Sequence, residues 1–259
     1  MSTEQDVRHL QVGTMRIEIH PSRQAAGEAA AAAAARSLLE FAGRAPTFGV
    51  IFATGASQLA TLHALTATPD LPWKQVVGFH MDEYVGIPPE HPASFRRYLR
   101  ENLTARAALN HFHEIDGTVA DLESLCDEYV VRLRQHDPQL CLLGIGENGH
   151  LAFNDPAEAD FTDPRDMKIV KLDTECREQQ VAEGWFPSVA AVPEKALTLT
   201  IPALMCVPRL IASVPGSRKA RIVRRALEEP ITTACPATIL RTHADVTMFL
   251  DQESAAELD

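Results

Sequence analysis

Between residues 48 and 250 short apolar runs keep giving way to helix-periodic segments, and this alternation limits the possible folds more than any other feature of the chain. Strand-like runs at 48–53, 76–80 and 140–145 are interleaved with helix-like runs at 57–65, 94–103 and 121–136. Further strands are predicted at 196–201, 209–214, 236–240 and 246–250, with a helix over 217–227. Such alternation predicts right-handed βαβ units and an α/β fold on a largely parallel sheet. Ahead of it, MRIEIH (15–20) alternates with period two, which predicts a strand that opens or edges the sheet. Residues 22–41 read as a helix whose alanines suit close packing on a sheet, with Gly43 as its stop. At 259 residues, 46% of them hydrophobic, a single domain with a sizeable core is expected. The irregular segment 157–193, acidic at its start and helix-like near 173–183, reads as a lid; an ordinary surface excursion fits its composition equally well.

Several function classes fall away on composition. The longest apolar stretch, Ala29 to Ala35, is too short to span a bilayer, so no membrane partner is expected. The beginning MSTEQDVRHL has no apolar signal region, which sets the cytoplasm as the expected location. Five cysteines (Cys126, Cys141, Cys176, Cys206 and Cys235) form no C-x-x-C pair and read as free thiols, without a zinc site. A net charge of −11 argues against nucleic acid, since phosphate backbones are bound by clustered Lys and Arg. The same charge means that an anionic ligand needs local positive charge or oriented backbone dipoles.

In open α/β sheets ligands bind beyond the carboxyl ends of the strands, and four turns there carry chemistry. In FATGASQ, Gly55 lets the backbone approach a ligand, and the N–H groups of Thr54, Gly55, Ala56 and Ser57, with the Ser57 hydroxyl, suit an anion. In HMDEYVG, Asp82 and Glu83 leave a strand on opposite sides, so one of them faces the cleft and the other supports it. Asp82 there suits a general base, though a turn-capping Asp82 beside a solvated Glu83 fits the spacing too. In LGIGENGHLAFNDP, three glycines force a tight turn ahead of His150, whose imidazole can both take and give a proton, and Asp155 follows to orient it. Asn148 offers an amide to substrate or to the histidine. The run also fits G-x-G-x-x-G, but no suitable helix and no acidic ribose-binding residue follow, which rejects a dinucleotide site. In SVPGSRKARIVRRAL, Lys219 opens a helix after Gly216 and supplies the required positive charge, unless Arg218, Lys219 and Arg221 are simply solvated.

Taken in order, MDEYVG, the following His91-Pro92, and G-x-G-x-x-G-H-x-A-F-N-x-P resemble the glucosamine-6-phosphate deaminase family from about Phe48 to Leu250. The resemblance implies a modified Rossmann-type three-layer α/β/α sandwich with a mostly parallel sheet and a lid, binding no nucleotide. It implies conversion of an amino-sugar phosphate, glucosamine 6-phosphate, to fructose 6-phosphate and ammonia without metal or organic cofactor. By the same resemblance His150 opens the sugar ring, oriented by Asp155; Asp82 moves a proton between carbons 1 and 2; residues 54–57 and Lys219 hold the phosphate. A homo-oligomer is left open.

The chain also departs from the pattern. Asn148 stands where some members have an acid, and Asp155 where Glu is frequent, so the ring-opening step is tuned differently. Simple alignment puts Gln180 where the family's lid carries a phosphate-binding arginine, and Arg177, on the same helical face, is the substitute on offer. Residues for an allosteric sugar are not recognisable. The competing readings are a 6-phosphogluconolactonase, a sugar-phosphate sensor without turnover, and a deaminase acting on galactosamine 6-phosphate. AFNDP and MDEYVG favour the deaminase over the lactonase, and Asp82 with His150 favours turnover over sensing.

Overall fold

The computed structural model describes residues 7–258. The first half runs β1 (Arg8–Val12), β2 (Met15–His20), α1 (Arg23–Ala42), β3 (Phe48–Phe52), α2 (Leu59–Ala67), β4 (Val76–His80), β5 (Asp82–Tyr84), α3 (Phe95–Leu99), β6 (His111–His113) and α4 (Leu122–His136). Then follow β7 (Pro138–Leu143), β8 (Met167–Lys171), α5 (Thr174–Ala182), β9 (Lys195–Leu199), α6 (Ile201–Met205), β10 (Arg209–Ser213), α7 (Ala220–Glu228) and β11 (Val246–Asp251). Eight strands form one sheet in the order β1-β2-β11-β10-β7-β3-β4-β6, parallel throughout except for the β1–β2 hairpin.

The central strands are apolar on both sides because both faces are covered, and the period of two decides which layer each residue joins. Val50 and Phe52 of β3, with Leu140 and Leu142 of β7, pack with α1, α2 and α3. Their neighbours Ile51, Cys141 and Leu143 pack on the opposite face with α4 and α7. The α/β/α sandwich that the resemblance implied is therefore present, as is the parallel sheet expected from the alternation, and α1 packs closely on α2. A Cβ built on Gly27 of α1 would overlap the Ala60 side chain of α2 and stand 3.0 Å from the Ala60 carbonyl carbon and the Thr61 nitrogen. Gly27→Ala gains up to about 1 kcal/mol in an exposed helix. Here it should lower stability instead, by about 1–3 kcal/mol, because two backbones must part. A urea midpoint at or above that of the parent chain would contradict this close approach.

Two expectations need correction, and three others gain detail. MRIEIH is neither the first strand nor the edge: β1 precedes it and pairs antiparallel across the Gly13 turn, where φ is +60°. The polar β1 offered no alternation strong enough to read, although a Gly-x pair between two short runs is a hairpin signal. Residues 236–240 are a 3-10 turn, Pro236–Thr242, not a strand. Pro236 opens it, and the Thr238 hydroxyl donates to Cys235 O, curling the backbone; the apolar run reflects burial on all sides. The run at 196–201 is β9, which leaves the main sheet for a small antiparallel one, β5-β9-β8. Finally, segment 157–193 contains β8, whose pairing with β9 and apolar cluster under Tyr84, Phe153 and Phe186 anchor it. The helix expected over 94–103 is α3 continued by a π turn, Arg100–Thr104.

The sheet order reverses direction between β3 and β7, since β4 lies to one side of this pair and β10 to the other. A crevice opens at such a switch point beyond the carboxyl ends of the strands.

Candidate active site

The turns after β3, β4, β7 and β10 converge on a cleft of about 380 Å³ at that switch point. Residues 54–57, Asp82, His150 and Lys219, drawn from all four turns, line it. Two turns are built alike. Gly55 and Gly216 take φ of +96° and +100°, conformations closed to most side chains, and each feeds a 3-10 turn, Ala56–Gln58 or Ser217–Lys219. The first internal bonds are Gln58 N–H to Gly55 O and Lys219 N–H to Gly216 O, so the N–H groups before them have no partner within the turn. Both turns thus suit an oxyanion.

The buried Gln58, which was not foreseen, ties the strand ends together. Its amide donates to Ser213 O (3.2 Å) and to the Ser57 hydroxyl (3.1 Å), joining the β3 turn to the end of β10. Tyr98 of α3 donates to Gly55 O at 2.9 Å. Neither residue announces itself in sequence, because an isolated Gln or Tyr carries no spacing signal.

Asp82 and Glu83 part company as strand geometry predicts. Asp82 lines the cleft, 6% exposed. Glu83 is fully buried and is far from solvated: it accepts from the N–H groups of Tyr84 (3.0 Å), Phe95 (3.2 Å) and Arg96 (3.0 Å) and from the Ser94 hydroxyl (3.0 Å). It therefore clamps the start of α3 to the strand that carries Asp82. Burial, reinforced by the negative charge of Glu83, pushes the Asp82 pKa well above the ordinary carboxylate value.

On the β7 turn, His150 Nδ1 lies 2.9 Å from Asp155 Oδ1. Among the described residues Nδ1 has no other partner. Asn148 organises the group. Its Oδ1 accepts from the His150 N–H (3.0 Å), and its Nδ2 reaches Asp155 Oδ1 (3.0 Å) and Asp173 Oδ2 (3.3 Å). Burial works against charge on Asp155, yet the hydrogen bond and charge of His150, with Asn148 and the Asp173 N–H, hold its carboxyl below the usual value. Gly146 leaves the room: a Cβ there would overlap Cε1, Nε2 and Nδ1 of the His150 ring. His150, Asp155 and Cys176 also bring donor atoms within 4.8 Å of one another, a grouping seen in metal sites. Here burial pushes the Cys176 thiol far up, and the Asp155 carboxylate is already taken up by hydrogen bonds.

Lys219 is unpaired among the described residues, and burial lowers its pKa, with Glu147 and Glu183 acting in the opposite sense. Arg177, the substitute offered for the lid arginine, does not line the cleft. Its guanidinium donates to Val189 O (2.7 Å) and Val192 O (3.1 Å), pinning α5 to the following loop and away from the cleft. The helix face was read correctly but the side chain is long enough to fold back on its own segment. Gln179, Gln180 and Trp185 of this segment do line the cleft. Arg218 bridges to Glu147 at 2.7 Å across the rim. Arg23, at the start of α1, also lines the cleft and was missed, being remote in sequence from every turn.

A family model described as glucosamine-6-phosphate isomerases/6-phosphogluconolactonase matches residues 21–249. A glucosamine-6-phosphate deaminase from Exiguobacterium sibiricum is 36% identical over 187 residues, 71% of this chain and 71% of the relative. A solved monomeric glucosamine-6-phosphate deaminase is similar with a TM-score of 0.84 at 28% identity, over 93% of this chain and 99% of that one. A 6-phosphogluconolactonase from Shewanella baltica reaches a TM-score of 0.76 over 93% of this chain and 98% of its own, and at 20% identity this likeness concerns the fold alone.

Proposed function

The chain belongs to the glucosamine-6-phosphate isomerase/6-phosphogluconolactonase family, and on that footing we propose that it converts glucosamine 6-phosphate and water to fructose 6-phosphate and ammonia. The observation that carries this reading is one cleft holding a buried carboxylate, Asp82, and an oriented histidine, His150, beside two glycine turns and a lysine suited to phosphate.

His150 gives a proton to the ring oxygen as the hydroxyl proton at carbon 1 leaves, which opens the sugar to its aldehyde. Asp155, held below its usual pKa, keeps a negative charge beside the ring and favours the imidazolium that this exchange passes through. Asp82 then takes the proton from carbon 2 and returns it at carbon 1, while a proton passes from the amine to the carbon 1 oxygen, which turns the amine into an imine and the aldehyde into a hydroxymethyl group. Water adds at carbon 2 and ammonia leaves, so one water is consumed and no electrons are exchanged with a cofactor. A raised pKa makes Asp82 the stronger base once ionised, and carbon acids need one. Residues 54–57 and Lys219 hold the phosphate, and the lid over 157–193 restricts water.

Among the described residues no helix is long and apolar enough to cross a membrane. The cysteines are free, one of them exposed, which supports a reducing, cytoplasmic setting.

The test is direct. Protein treated with a chelator should release ammonia from glucosamine 6-phosphate and leave 6-phosphogluconolactone no faster to hydrolyse than buffer does. Rapid lactone hydrolysis without ammonia would transfer the assignment to the hydrolase branch of the family; binding without turnover of either compound would make it a sensor.

A further inference from the structure

The phosphate end of the cleft contains a cation that lies on neither phosphate turn. Arg23 is the first residue of α1, directly after the Ser22 cap that accepts from Ala25 N–H (3.2 Å). Its side chain reaches over the β10 turn: a Cβ built on Gly216 would stand 2.5 Å from Arg23 Nη2. Gly216 is therefore doubly constrained, by its φ of +100° and by the guanidinium lying across it. The Gly216 N–H is itself fixed by the Asp251 carboxylate, at 2.9 and 3.0 Å, so the surface beneath Arg23 is rigid.

Charge accounting singles this arginine out. The chain carries 35 acidic against 24 basic residues, and arginines near the cleft are mostly taken: Arg218 by Glu147, Arg96 by Glu83 and Asp116. Among the described residues Arg23 has no carboxylate partner, and neither has Lys219. In a protein with an acid surplus, two unpaired cations at one end of a cleft, beside two turns suited to oxyanions, call for an anion. The lid offers no replacement, since Gln180 is neutral and Arg177 is held by backbone carbonyls. A guanidinium presents its N–H groups as a planar fork that matches two phosphate oxygens, which an ammonium does not.

We propose that Arg23 is a phosphate-binding residue, closing the cradle from α1 and supplying the fork that the lid lacks. The inference rests on the sugar-phosphate reading of the cleft. It adds that affinity for the phosphate group depends on a residue outside all four strand-end turns, so that the start of α1 belongs to the specificity apparatus.

The experiment uses the full chain with Arg23→Met and Arg23→Lys. Steady-state ammonia release from glucosamine 6-phosphate is measured alongside calorimetric binding of inorganic phosphate. Arg23→Met should raise KM about 10- to 100-fold and weaken phosphate binding comparably, while kcat falls far less. Arg23→Lys should restore part of the loss, because charge returns without the fork. An Arg23→Met variant with parental KM and parental phosphate affinity overturns the proposal, and so does a loss that tracks a drop in thermal midpoint and is no smaller in the lysine variant. The functional reading fails separately: if the parent protein releases no ammonia, phosphate binding alone still decides whether Arg23 holds the anion.

Discussion

The Asp82→Asn variant should release ammonia from glucosamine 6-phosphate about 10²- to 10⁴-fold more slowly than the parent chain, the range expected for loss of a positioned general base. It should also be more stable at neutral and alkaline pH. Asp82 lies 6% exposed beside the buried Glu83, and folding raises its pKa well above 3.8. Below the unfolded pKa both states are protonated and Asp82 costs nothing. As pH rises past that point the unfolded chain releases the proton while the folded chain retains it, so stability is lost until Asp82 ionises in the fold as well. Asparagine has no such proton, and its advantage should therefore grow from about pH 4 upward, to roughly 1–2 kcal/mol. In the parent enzyme the same raised pKa should place the acidic limb of kcat/KM above the ordinary carboxylate range. Near-parental turnover in Asp82→Asn would remove it from the mechanism; lost turnover with a lower thermal midpoint at pH 8 would mean that the carboxylate stabilises the fold rather than straining it.

Gly146→Ala should cost about 10²- to 10³-fold in kcat without unfolding the chain, an effect out of proportion to one methyl group. The methyl would occupy the space of the His150 ring. His150 can escape only by rotating off Asp155, since Gly146 N–H is bonded to His150 O at 3.0 Å and the backbone between them is short. A displacement of about 1 Å at a catalytic group is enough for losses of this order. The phosphate end lies on other turns, so inorganic phosphate should bind Gly146→Ala nearly as well as the parent. Gly55→Ala provides the contrast: its Cβ would meet nothing within 4 Å, but its φ of +96° makes the substitution strained. That variant should lose affinity for phosphate before it loses rate. Full activity in Gly146→Ala would show that His150 does not need the position it occupies here.

What could be read without coordinates was whatever the chain expresses locally. Both-sided burial makes the middles of β3, β4, β7, β10 and β11 largely apolar, and the helices between them declare their period, so the parallel α/β core was visible. The turn residues were visible for a related reason: Gly55 and Gly216 mark turns with positive φ, and Gly146 a place where the His150 ring comes closer than a Cβ permits. Elements that depend on remote pairing were not visible. β5, β6 and the polar edge strand β1 are short, and the run at 236–240 looked like a strand because burial on every side erases periodicity.

The residues at the site divide the same way. Asp82, His150 and Asp155 sit in runs whose spacing already specifies a turn, and sequence alone determined that they lie beyond strand ends. Only the tertiary structure decided that Glu83 is a buried clamp and not a solvated neighbour, that Arg177 folds back on its own loop, and that Arg23 reaches across to Gly216. Strand alternation fixes the side of a sheet to which a carboxylate points. Where a long, flexible cation ends up depends on which partners the rest of the fold has left unpaired.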